Sequence, residues 1–447
     1  MIRSLMFTLR SLNSLLFWGL FVYSHELKAD FNTFESNSLE VYFPQISDII
    51  ASMDSNSPRC LNNKEGLKEA YSYKMIADSE QGVSANLNLN THSIHESRAG
   101  GNYYQGYRTV GSLYIKKPFF HWGALNAKSR IAELSEKRTQ QNIRHSDSDL
   151  FMHVKSEYLN LVLLSFELNL SKKILKLREY NEKHLYQRNE LGLVTKLNVS
   201  EATIKKLEQS IKISELERII RNRNSNFIFD TGYNKPLDLN LSENFKSFYL
   251  KNEFGKKIPL LINTLSSNVI EQLKIQVETE VQNFIVASTA NKPKLDLVGG
   301  FFQDQIDTLN NPNSVRRNNF LIGFEVNWNL WDSSRSKGQK NLALAKRRRL
   351  NIDLENAVKK SRMEVTNLRS QLINISSQIA LSKKLMKAAQ NRLEKSKIEL
   401  DTKRITPTDH FESEIAMSNA NLNLVRTVFT FMQLRLIYQK MLNYPNS

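Results

Sequence analysis

From Leu354 to Leu400 the chain reads LENAVKKSRMEVTNLRSQLINISSQIALSKKLMKAAQNRLEKSKIEL. Within it Val358, Val365, Leu372, Ile379, Met386, Leu393 and Leu400 fall at strict seven-residue spacing. Leu354, Ser361, Leu368, Ile375, Ser382, Ala389 and Ser396 form a second stripe three or four residues away. Two such stripes make the a/d seam of helices wound on one another, and small residues on one of them permit close helix approach. No proline interrupts Asp332 to Thr406, so the pattern predicts one helix of roughly 70 residues, about 105 Å at 1.5 Å per residue. A globular domain rarely holds such a helix, whereas a coiled coil or an α-barrel does.

The same pattern is written twice. Leu170-Ser171-Lys172-Lys173 recurs as Leu381-Ser382-Lys383-Lys384, 211 positions later. Ala132/Ala343, Arg138/Arg349, Met152/Met363, Val154/Val365, Leu161/Leu372, Lys176/Lys387, Thr195/Thr406 and Glu201/Glu412 share that offset without a gap. A fixed offset held over this span marks a duplicated unit with two long hairpins. Both hairpins carry turn signals. Thr406-Pro407-Thr408-Asp409 reads as N-cap, proline at N1 and an acidic N3 residue, with helix resuming to about Asn443. Leu191-Gly192 stops the earlier helix, and Thr195 caps the next, which is expected to run to about Arg223.

Ahead of each hairpin lie strand patterns. Phe320, Ile322, Phe324, Val326, Trp328 and Leu330 alternate with Leu321, Gly323, Glu325, Asn327 and Asn329. Leu295, Leu297, Gly299 and Phe301 form a weaker partner, joined through Asn310-Asn311-Pro312-Asn313. In the first copy Val83, Ala85, Leu87 and Leu89 alternate with polar residues, and a second run covers Tyr107 to Ile115. Period-two alternation puts apolar side chains on one face, which suits either a membrane barrel or a half-buried soluble sheet. The expected strands are about 82–91, 104–116, 294–303 and 319–330. Four strands are too few to close a barrel, so closure would need several chains.

The 447 residues include 62 Lys+Arg against 45 Asp+Glu, a formal charge of +17, with 15 Gly, 9 Pro and one cysteine, Cys60. Collagen-like, disulfide-framed and low-complexity classes are thereby excluded. Arg3 and Arg10 precede an uncharged stretch from Ser11 to Ser24, with Val22 and Ser24 as small cleavage-site residues, so 1–24 reads as a secretory signal. Its fourteen apolar and uncharged positions fall short of the ~20 needed to span a bilayer as a helix. The densest basic run, Lys346-Arg347-Arg348-Arg349, reads as a solvated helix face rather than a nucleic-acid patch. His92 and His95 fall in an expected polar loop without carboxylate or cysteine companions, so neither a metal nor another cofactor is expected there. No phosphate-binding glycine loop, nucleophile elbow or HExxH pattern occurs, and no enzyme activity is expected.

Together these residues resemble the TolC-like outer-membrane efflux family. The likeness covers roughly 45–443 and is strongest in 319–443. Phe324 to Arg335 (FEVNWNLWDSSR) resembles that family's last strand entering its long helix, and Pro118-Phe119-Phe120-His121-Trp122-Gly123 takes the matching place in the first copy. Leu191-Gly192-Leu193-Val194-Thr195 is similar to the hairpin tip that meets a periplasmic adaptor. The resemblance implies a mostly helical protein with membrane strands: duplicated coiled-coil hairpins forming an α-barrel, and four strands per chain joining a 12-stranded barrel in a homotrimer. Its organisation would be a signal at 1–24, a first repeat at 25–228 with its tip near 192, an equatorial insertion at 229–259, and a second repeat at 260–447 with its tip near 403–407.

The implied function is the exit duct of a tripartite efflux pump or type I secretion system, in the outer membrane of a Gram-negative cell. The implied partners are outer-membrane lipid, a periplasmic adaptor and an inner-membrane pump or ABC transporter. Asp409 and Glu412 match the acidic positions that line the family's periplasmic aperture; Asp409 equally suits an N3 capping role, and Glu412 the first helical turn. The second tip departs from the first, with Lys403-Arg404-Ile405 in place of Gly192-Leu193-Val194. Tyr103, Tyr104, Tyr107, Tyr114 and Trp328 suit either an aromatic girdle or ordinary sheet positions. A soluble periplasmic scaffold or adaptor without a pore shares the secretion signal and the heptads, but has no need of long lipid-facing strands.

Overall fold

The structure, a computed structural model, describes residues 39–97, 103–241, 243–251, 254, 258, 268–308 and 315–442. The expected signal at 1–24, the turn at 310–313 and the side chains of Tyr103 and Tyr104 lie outside this description. The helices are α1 (Leu39–Tyr42), α2 (Gln45–Asn56), α3 (Pro58–Ser79), α4 (Ala124–Glu190), α5 (Lys196–Thr231), α6 (Glu243–Lys251), α7 (Asn268–Ser288), α8 (Arg335–Asp401) and α9 (Pro407–Met441). The strands are β1 (Ser84–Ser97), β2 (Tyr103–Phe120), β3 (Lys294–Thr308) and β4 (Val315–Asn327).

Helices α4 and α8 are each 67 residues long. They begin at positions 124 and 335, and α5 and α9 begin at 196 and 407, so both pairs keep the offset of the sequence repeat. None of the seam residues named above is exposed. Ser361, Val365, Leu372, Ile379 and Ser396 are buried and the others are half-buried, while most residues between them face solvent. The seam is therefore the buried stripe that holds this helix to its neighbours, each fully buried Leu or Ile contributing about 1.5–3 kcal/mol.

The chain divides into two compact units. One comprises Met1–Asn62, His145–Ser267 and Lys359–Ser447. Its centre is aromatic: Phe245 of α6 lies 5.3 Å from Phe43, 5.2 Å from Phe429 and 5.6 Å from Tyr249, centroid to centroid. Ile46, Ile49, Met53, Tyr158, Leu161, Val162, Leu372, Val425 and Tyr438 are among the fully buried residues around it. The Tyr158 hydroxyl donates to the Asp238 carbonyl at 2.6 Å, so the extended segment after α5 is pinned against α4. Helix α5 runs to Thr231, beyond the expected Arg223. Asn222–Asn226 is a run of mostly weak helix formers, but Phe227 is 3% exposed and its burial carries the helix through; tertiary packing overrides weak propensity. Gly232 then ends it at φ 67°, its N–H donating to the Ile228 carbonyl at 2.7 Å.

The other unit comprises Asn63–Arg144 and Asn268–Val358. It holds one antiparallel sheet in the order β1-β2-β3-β4. All four strands exist where expected, with shifted ends. β1 continues to Ser97 through the unbroken pairs from Ser84↔Lys116 to Ser97↔Tyr103, so His92 and His95 lie in a strand and not in a loop. β4 ends at Asn327, short of the expected Leu330, because the last pair is Lys294↔Asn327. Just past it the Trp328 indole N–H donates instead to the Asn291 carbonyl at 3.1 Å.

Candidate functional site

The hairpin tips are built from one backbone motif carried by two different sequences. At the first, the Gly192 N–H donates to the Asn189 carbonyl and the Leu193 N–H to the Arg188 carbonyl, both at 2.9 Å. At the second, the Lys403 N–H donates to the Leu400 carbonyl at 2.9 Å and the Arg404 N–H to the Glu399 carbonyl at 2.8 Å. Both are Schellman C-caps, which require a left-handed residue. Gly192 supplies it at φ 71° and Lys403 at φ 57°. The first tip presents Leu191 at 73% and Leu193 at 62% exposure, with Val194 half-buried and its carbonyl accepting from the Asn189 amide at 2.7 Å. Thr195 caps α5 through its hydroxyl, which accepts from the Asn198 N–H at 3.4 Å.

Asp409 and Glu412 sit in the first turn of α9, and each has a partner in the chain. Asp409 closes a capping box: its carboxylate accepts from the Thr406 N–H at 3.1 Å and hydroxyl at 2.7 Å, while its own N–H donates to that hydroxyl at 3.3 Å. The Thr406 hydroxyl and backbone N–H hold the Asp409 carboxyl below the usual carboxylate range. Glu412 is paired with Arg178 of α4 at 2.5 Å, the arginine side chain being 17% exposed.

Further contacts tie the same stretch of α9 to α4. The Thr408 hydroxyl donates to the buried Asn181 amide oxygen at 2.8 Å, Lys173 pairs with Glu414 at 2.9 Å, and Phe411 meets Tyr180 edge-on at 5.1 Å. Arg178, Asn181 and Thr408 carry no signal in the sequence, since their partners lie more than 200 positions away. Among the described residues no group of three or more His, Cys, Asp or Glu could hold a metal ion.

The sheet has two unlike faces. On one, the register sets Leu87, Leu113, Phe301 and Phe320 in a row, with Ala85, Ile115, Gly299 and Ile322 beside it. Leu87 is 78%, Phe320 82% and Ile322 87% exposed. The other face mixes apolar residues such as Val298 and Phe302 with polar groups that pair among themselves. The Tyr114 hydroxyl donates to Glu325 at 2.6 Å, Arg108 holds Asp304 through two hydrogen bonds at 2.9 and 2.8 Å, and Asp296 meets Lys116 at 2.7 Å and His121 at 2.6 Å. Tyr114 thus points to this mixed face, whereas Tyr107 is 55% exposed on the apolar one. No helix among the described residues is long and apolar enough to cross a membrane.

Solved outer-membrane channels share this architecture over about nine tenths of the chain. CusC, described as forming a transmembrane channel, superposes with a TM-score of 0.74 at 13% identity over 90% of this chain and 94% of its own. The CmeC outer membrane channel of Campylobacter jejuni gives 0.73 at 14% identity over 89% and 85%. The open state of the MtrE outer membrane channel of Neisseria gonorrhoeae gives 0.72 at 15% identity over 89% of each. The fold is the TolC-like channel fold. All three are described as channels. No protein-family model matches the chain, and no curated protein does. Identity this low leaves the TolC-like fold to stand on element order and geometry, with no residue role transferred by it.

Proposed function

We propose that this chain is one protomer of a trimeric outer-membrane duct, a passive conduit serving a tripartite efflux pump or a type I secretion system. The observation that carries this reading is the open sheet. Its outer strands β1 and β4 have no further partner among the described residues, and its apolar face is exposed over most of its length. An unpaired edge and an apolar surface of that size are unstable in water. Both are resolved if β1 of one copy pairs with β4 of the next and the apolar face meets lipid, three copies giving about twelve strands. The strands, at 13 to 18 residues, exceed the 9–11 that a tilted membrane strand needs.

In this reading the paired helices continue the barrel as a periplasmic tunnel, with 229–259 as an elaboration about its middle. The tip Leu191–Thr195 docks an adaptor through Leu191 and Leu193, and Asp409 and Glu412 ring the periplasmic aperture. The energy comes from the inner-membrane partner. Insertion into planar bilayers tests the duct: stable ohmic steps support it, and a purified protein that never conducts argues against it.

A further inference from the structure

The tryptophans collect at one end of the sheet. Trp122, Trp328 and Trp331 are the tryptophans among the described residues, and they are 41%, 57% and 84% exposed. Trp122 follows the end of β2, and Trp328 and Trp331 follow the end of β4. The loop before β3 anchors two of them: the Trp122 indole N–H donates to the Pro293 carbonyl at 2.7 Å and the Trp328 indole N–H to the Asn291 carbonyl at 3.1 Å. With their N–H groups satisfied by backbone, the rings are fixed in place while their surfaces stay open. Such rings favour the boundary between hydrocarbon and headgroup.

Cations share this end. Lys117 is exposed on the apolar face itself, in the row Lys117–Leu297–Phe324. Beside it Phe119, 67% exposed, packs edge-on against Phe324 at 5.9 Å. The Lys292 ammonium lies 4.6 Å from the centre of the Trp122 ring. Arg335 and Lys337 are exposed at the start of α8, where the stretch from Arg335 to Ile352 is rich in Lys and Arg and holds no Asp or Glu. The nearby acids are engaged elsewhere: Asp296 with Lys116 and His121 on the mixed face, and Asp332 with the Ser336 N–H at 2.9 Å. Among the described residues no carboxylate forms an ion pair with Lys117, Lys292, Arg335 or Lys337.

We infer that this end of the sheet is a binding surface for anionic glycerophospholipid headgroups, with Lys117 and Lys292 as its phosphate contacts. A lysine on an otherwise apolar face lays its methylenes along the acyl chains and lifts its ammonium to the phosphate level, and the tryptophans set the depth of that level. Each lysine near an anionic surface adds attraction that salt screens. The inference rests on the membrane reading above and adds a lipid preference to it.

The test is tryptophan quenching by brominated lipids, with the full chain reconstituted in vesicles of unbrominated phosphatidylcholine mixed with increasing brominated phosphatidylglycerol, and in the converse mixtures where only the phosphatidylcholine is brominated. The expected result is a roughly two- to fivefold preference for phosphatidylglycerol at low salt, falling toward one at about 0.5 M salt. The preference is lost in Lys117→Gln/Lys292→Gln and kept in Lys117→Arg/Lys292→Arg. Strong and equal quenching of the wild type by both lipids overturns the headgroup site and leaves the membrane reading standing. Quenching by neither lipid overturns both.

Discussion

Lys403 holds the place in the second hairpin tip that Gly192 holds in the first, and takes the same left-handed backbone at φ 57° against 71°. The two Schellman caps match in hydrogen bonding, yet one uses the residue that enters this conformation freely and the other a residue that meets a steric cost of about 1 kcal/mol.

Relieving that cost gives the first prediction. Lys403→Gly raises stability by roughly 0.5–1 kcal/mol, the relief of strain being partly offset by the greater freedom of glycine in the unfolded chain. Thermal unfolding of the purified protein checks it; an unchanged or lower midpoint counts against the left-handed cap.

Gly232 is the opposite case. Its φ is 67°, and a Cβ there would lie 2.5 Å from the Asn56 carbonyl oxygen. Gly232→Ala is expected to cost about 3 kcal/mol or more, since a backbone oxygen has nowhere to go and the conformation is itself strained. Gly66 provides the control: in the middle of α3, with only the Ile143 side chain at 3.8 Å, its change to Ala should be neutral or stabilising by about 0.5–1 kcal/mol. Similar losses in both variants would contradict the packing described around Asn56.

Acid should loosen the start of α9. A carboxyl held below its ordinary value, as Asp409 is by Thr406, contributes stability that is fully present above about pH 4 and is lost as pH falls through the depressed value. Asp409→Asn should therefore be less stable than wild type at pH 7 and converge with it in strong acid. Parallel curves of melting temperature against pH would show that the capping carboxylate is not responsible.

The aperture assignment predicts that Asp409→Ala with Glu412→Ala raises single-channel conductance and lowers cation selectivity, by removing two carboxylates per chain and the Arg178 tie to α4. Acidic rings at a constriction favour cations. Unchanged conductance together with unchanged selectivity would sink the gate role and leave Asp409 as a cap and Glu412 as a stabilising pair.

The helical part was legible because burial every seven residues leaves a periodic trace: the seam residues from Leu354 to Leu400 are those the structure hides. Its hairpin turns were equally plain where Thr406 and Pro407 announce a helix start. The strand ends were not, because a strand stops where pairing stops, and no local residue reports that Ser97 still has Tyr103 across from it. The end of α5 was hidden by its polar run, whose helix depends on Phe227 reaching a distant core. At the candidate aperture the acidic residues could be named, but not the partner of Glu412. Arg178 lies 234 positions away, and only the folded chain brings the two together.

The central claim is that three copies close one barrel in an outer membrane. The most direct measurement is the mass of the native complex, extracted in mild detergent from separated inner and outer membrane fractions. The account predicts a trimer in the outer fraction, with three times the mass of one chain, which is 51.8 kDa before any signal is removed. A monomer or dimer in the soluble periplasmic fraction would contradict it, and a scaffold without a pore would then be the better reading of the same helices.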